Sequence, residues 1–96
     1  MRDEVALKRQ SIRGRKAKTL LEDELMQSAL NDIRMTIYKK IETSAFNQKD
    51  EREDCYRMLR AAEMFEGMLR RHINTGIAAE EKLSVLQRVV KRVQEF

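Results

Sequence analysis

Proline and tryptophan are absent from the 96 residues, glycine occurs three times, and there is one cysteine and one histidine. With 38% charged and 42% hydrophobic side chains, such a composition favours long helices with wetted outer faces. The lone Cys55 excludes an internal disulfide and contributes no metal cluster, so the chain fits a reducing compartment, with Cys55 as a small apolar core residue. No apolar run approaches the roughly 18 residues needed to cross a bilayer. The charged N-terminus has no apolar segment behind it, so neither a membrane partner nor export by a signal peptide is expected. A chain of this length is one domain at most and hides about 60–65% of the surface its unfolded form exposes, so its core is small.

Catalysis is excluded on similar grounds. His72 is the only histidine, it lies beside Arg70 and Arg71, and no serine or cysteine stands at a spacing that suggests a triad. The acidic run DERED at 50–54 reads as a helix start, where negative charge meets the positive end of the helix dipole. There is no glycine-rich phosphate loop. These residues predict a protein that is not an enzyme and needs no cofactor or metal.

What the chain does have is an uneven charge distribution. Residues 1–18 hold seven basic and two acidic side chains, a formal +5, whereas residues 19–96 hold thirteen basic and fourteen acidic, a formal −1. In RQSIRGRKAK, residues 9–18, no acid interrupts Arg9, Arg13, Arg15, Lys16 and Lys18, and Gly14 makes the backbone pliable. This predicts a flexible basic arm. Its five cations suit phosphate neutralisation without base reading, since no aromatic side chain stands among them to stack on bases. A solubilising tail, or pairing with acids of a neighbouring subunit, would use the same residues.

Beyond the arm, apolar residues recur every fourth position: Leu21, Leu25, Ala29, Ile33, Ile37, Ile41 and Ala45, with Met26, Leu30 and Tyr38 widening the stripe. This predicts one amphipathic helix. The segment SAFNQKDERED breaks the pattern, with Asn47 or Asp50 as cap and Asp50 and Glu53 at capping-box spacing. A second helix buries Cys55, Met58, Leu59, Ala62, Phe65, Met68, Leu69 and Ile73, and the short connection predicts an antiparallel hairpin. INTGIAA then predicts a break with Gly76 as a left-handed cap. A third helix carries a heptad seam of Ala79, Leu83, Leu86, Val90 and Val93, flanked by Val89 and Phe96. Two heptads are too short to stand alone, so this seam is the candidate oligomer interface. The six methionines at apolar spacings predict core filling, with an adaptable protein interface as the alternative. A helix-turn-helix reading fails because the third helix begins Ile77, Ala78, Ala79, Glu80, Glu81, and its acids would face phosphates.

RGRKAKTLLEDELMQSAL, residues 13–30, shows Arg13, Gly14, Ala17, the pair Leu20 and Leu21, then Asp23, Glu24 and Leu25. NTGIAAEEKL adds Thr75, Gly76, Ala79 and Leu83. Together these resemble a set of small helical proteins encoded among the head and DNA-packaging genes of tailed bacteriophages, departing from them at Ile77, where that set is expected to carry lysine. The resemblance spans roughly residues 13–83 and implies a phage context, in the virion or the bacterial host cytoplasm, with other phage structural or packaging proteins as partners.

The combined expectation is an all-α protein: a long antiparallel helical hairpin and a shorter C-terminal helix in one domain, 19–96, preceded by a flexible basic arm, 1–18. Its expected role is a non-enzymatic, homo-oligomeric structural or DNA-packaging component whose arm contacts DNA or a neighbouring subunit. A small nucleic-acid-binding regulator or packaging initiator, and a phage protein that binds a host protein, are the alternatives.

Overall fold

The computed structural model describes residues 2–95, with side chains from Asp3 onward; Met1 and Phe96, the latter expected beside the third-helix seam, lie outside the described residues. Three helices and no strand occur among the described residues: α1 (Arg2–Glu22), α2 (Glu24–Glu42) and α3 (Lys49–Glu95). They form two compact units. Unit 1 comprises Met1–Thr19 and Leu69–Phe96, and unit 2 comprises Leu20–Met68.

Unit 1 follows from a spacing of three and four on both of its helices. On α1, Leu7 and Gln10 are half-buried and Gly14 and Ala17 are buried; on α3, Leu69, Ile73 and Leu83 are half-buried and Gly76 and Ala79 are buried. A groove brings Ala6, Leu7 and Gln10 beside Lys82, Val85 and Leu86, while Gly14 lies against Gly76, so the two helices run antiparallel. The glycines set the separation. A methyl group on Gly14 would stand 2.8 Å from the His72 carbonyl oxygen and 2.9 Å from the Gly76 Cα, and one on Gly76 would stand 2.9 Å from the Gly14 Cα and 3.0 Å from the Gln10 carbonyl oxygen. These neighbours are all backbone, which side-chain rotation cannot move aside.

Two sequence expectations are corrected here. The basic segment expected as a flexible arm, 1–18, is from Arg2 onward part of α1, a regular helix held against α3. Gly76 is not a cap, because residues 74–77 lie inside α3 and no described residue has positive φ. The hairpin with a separate short helix is therefore replaced by three helices, the last of 47 residues. The physical reason is shared: both glycines were read as conformational freedom, whereas each provides the missing Cβ that lets two backbones approach. Glycine inside a helix costs about 1 kcal/mol relative to alanine, and the close packing offsets that.

Near the start of unit 2, Asp23 takes extended backbone angles and its side chain accepts from the Met26 N–H at 3.0 Å. This cap splits the single helix expected from Leu21 to Ala45, and the Gln27 side-chain amide bridges the split by donating to the Leu21 carbonyl. Only part of the expected stripe is covered. Leu21, Leu30 and Ile37 are buried and Met26 and Ile41 half-buried, while Leu25 and Ile33 are exposed, because a four-residue step winds away from a straight partner. The connection 43–48 is tied by Arg52, whose guanidinium donates to the Ser44 hydroxyl and to the Ala45 and Phe46 carbonyls at 3.1, 2.6 and 3.2 Å. Helix α3 starts at Lys49, so Asp50 and Glu51 sit in its first turn, and Asn47 and Asp50 are not caps. On its inner face Cys55 is buried and Leu59, Ala62 and Glu66 are half-buried, with Glu66 ion-paired to Arg34 of α2.

The two kinds of glycine respond to alanine with opposite sign. Gly76→Ala is expected to lower stability, since overpacking costs typically about 1–3 kcal/mol. Gly67, whose Cβ would meet nothing within 4 Å, is expected to gain about 0.5–1 kcal/mol as alanine. Urea melts followed by circular dichroism measure both; a stabilised Gly76→Ala variant would show that the crossing is not tight.

Candidate nucleic-acid and partner interfaces

Pairing α1 with the C-terminal part of α3 concentrates charge in a way that a scan along the chain does not show. Unit 1 holds thirteen basic and five acidic residues, a formal +8, whereas unit 2 holds seven basic and eleven acidic, a formal −4. The expected arm contributes only part of this. The other share comes from residues 69–96, which carry six basic and three acidic side chains and become part of the basic unit only through folding.

The five cations expected to grip phosphate divide into two groups. Arg9, Arg13 and Lys16 are exposed, and their spacing of four and three places them on one side of α1. Arg15 and Lys18 serve a different centre. The Arg15 Nε donates to Glu80 Oε1 at 2.8 Å, and the buried Ser11 hydroxyl donates to the same oxygen at 2.9 Å. The Ser11 hydrogen bond first, and the Arg15 hydrogen bond next, hold the Glu80 carboxyl below its ordinary pKa. Partial desolvation opposes them, and the positive charges of Arg15 and Lys18 add to the lowering. Ser11 and Glu80 have no signal in the sequence beyond their place at the edge of a helical stripe, since only the crossing at Gly14 and Gly76 brings residues 11 and 80 together.

The expected oligomer seam also divides. Ala79 is buried and Leu83 half-buried within unit 1, while Leu86, Val90 and Val93 are exposed. The methionines do not fill the core as expected: Met35, Met58, Met64 and Met68 are exposed and Met26 is half-buried. Cys55 is a buried free thiol, as its apolar reading requires. Among the described residues no cluster of three or more His, Cys, Asp or Glu is placed to hold a metal ion, and no helix is long and apolar enough to cross a membrane.

Because the folded pKa of Glu80 lies below its unfolded value, its ties stabilise the fold above the ordinary glutamate range. That contribution is lost as pH falls through the depressed value. Glu80→Gln is therefore expected to lower the melting temperature at neutral pH, with the deficit closing in acid; a deficit constant with pH would overturn this account. Comparison with protein-family models, curated proteins and solved structures finds no match to this chain.

Proposed function

We propose that this chain is a non-enzymatic, self-assembling structural or DNA-packaging component of a bacteriophage, and that unit 1 touches duplex DNA without reading its sequence. The observation that carries the reading is the segregation of charge, +8 on one unit and −4 on the other. A surface of this sign draws in polyphosphate and releases condensed counterions. The exposed row of Arg9, Arg13 and Lys16 supplies the contacts nearest to one another, and a helix held against α3 orders them beforehand at lower entropic cost than a loose arm.

Self-assembly has its own support. No large side chain is fully buried, and nineteen large apolar ones are exposed among the described residues, more than isolated surface hydrophobes account for. The phage setting rests on the resemblance in residues 13–30 and 74–83. Its glycines and alanines, Gly14, Ala17, Gly76 and Ala79, are the buried small residues of unit 1, which is where a shared helical core would place its similarity.

Fluorescence anisotropy with duplexes of unrelated sequence tests the DNA contact. Affinity is expected to be alike for all of them and to fall steeply with salt. Replacing Arg9, Arg13 and Lys16 together with glutamine should reduce the log–log salt slope by about 2.7, or roughly 0.9 per lost phosphate contact, while leaving the melting temperature nearly unchanged because the three side chains are exposed. Absence of DNA binding at low salt, or an unaltered slope in the triple variant, would overturn the reading.

A further inference from the structure

We propose that copies of this chain join heterologously, the C-terminal apolar band of unit 1 in one copy seating on the acidic-edged apolar face of unit 2 in the next. The inference rests on the self-assembly part of the proposed function and names the two surfaces that meet.

The first surface is the last turns of α3. Leu86, Val89, Val90 and Val93 are exposed at spacings of three and one to three, within one side of the helix, and Arg88 and Arg92 border them. The second lies on the part of α3 that belongs to unit 2. Met58, Phe65 and Met68 are exposed on one side, and Glu51 and Asp54 extend the same row toward the start of the helix, so that residues 51, 54, 58, 65 and 68 follow a heptad pattern; Asp54 is held by Arg57 at 2.7 Å, so Glu51 is the acid that this row presents to a partner. Each surface is an apolar strip flanked by charged side chains, and the units that carry the two strips have net charges of opposite sign.

Charge selects which strips pair. Joining two unit 1 surfaces would bring +8 against +8, and joining two unit 2 surfaces −4 against −4, whereas unit 1 on unit 2 brings opposite charges together. Methionine and phenylalanine suit the receiving side because an unbranched thioether chain adapts to the β-branched valines laid on it. A pairing of two different patches leaves one free patch of each kind on every dimer, so assembly continues beyond two copies until a ring closes or a filament grows. The cations used, Arg88 and Arg92, are distinct from the α1 row proposed for DNA.

Complementation between two blocked variants tests this, using the full chain without DNA and light scattering coupled to size exclusion. Val89→Asp blocks the band and Phe65→Asp blocks the face; both positions are exposed, and circular dichroism checks that each variant remains helical. Wild type is expected to run as an oligomer, each variant alone at the 11.4 kDa chain mass, and their equimolar mixture at twice that mass and no larger, since each partner retains one working patch. If either aspartate variant loses helicity, Val93→Asp in the band or Met58→Asp on the face, both at exposed positions, replaces it with the same expected outcomes. A mixture that stays at the single-chain mass, or one variant that still assembles alone, overturns the heterologous pairing and leaves self-assembly standing. A wild-type chain that is itself monomeric overturns both.

Discussion

The approach of two helix backbones at Gly14 and Gly76 is the constraint on which unit 1 depends. Wherever either position carried a Cβ, that atom would fall within 2.8–2.9 Å of the opposing backbone, well inside ordinary contact distance. The glycines thus define where α1 lies along α3 as well as how near it comes. Buried Ala17 and Ala79 keep the adjoining turns close, and Ser11 and Arg15 then reach a single carboxylate oxygen of Glu80. A row of larger side chains would hold the helices at the usual 8–10 Å separation and leave the Ser11 hydroxyl short of its acceptor. Packing and polar pairing in this unit are one arrangement, with the small residues as its cause.

Each unit contains an arginine from the earlier helix joined to a glutamate of α3: Arg15 with Glu80 in unit 1 and Arg34 with Glu66 in unit 2. The two glutamates are two heptads apart on α3. The more exposed Arg15–Glu80 pair adds little to stability, but the half-buried Arg34–Glu66 pair specifies register, because a slip of one heptad would leave a partly buried carboxylate without its cation. That matters here because the apolar core is thin, with Leu21, Leu30, Ile37 and Cys55 as its main buried members in unit 2. A core of so few side chains discriminates weakly between alternative alignments of two long helices. The remaining apolar surface, on Met58, Phe65, Met68 and the valines near the end of α3, is exposed.

The charge of the units links this packing to function. Helices that place their basic side chains on one compact unit and their acidic side chains on the other create surfaces of opposite sign from a chain whose net charge is only +4. In the proposed reading, such a distribution would serve attraction to polyphosphate and attraction between copies through different residues, α1 for the former and the C-terminal turns of α3 for the latter. It also means that salt weakens both, as surface charge interactions do when the screening length falls below their separation.

Helical class was legible in the sequence itself, since the lack of proline and the three-and-four spacing of apolar residues are local properties that any helix displays. The excess of basic residues near the N-terminus and the apolar character of Cys55 were legible for the same reason. Where helices began and ended was less so: Asp23 caps α2 in the middle of an unbroken apolar stripe, and Gly14 and Gly76 look like points of freedom because glycine has the same local signature in a loop as in a close helix crossing. Only the tertiary structure decided between those meanings, for the crossing depends on two residues 62 positions apart, each of which makes sense only in the presence of the other. The same holds for the functional surfaces. The row of Arg9, Arg13 and Lys16 became a fixed face because α1 packs, Arg15 was diverted to Glu80, and the +8 of unit 1 arose because folding placed the two ends of the chain together.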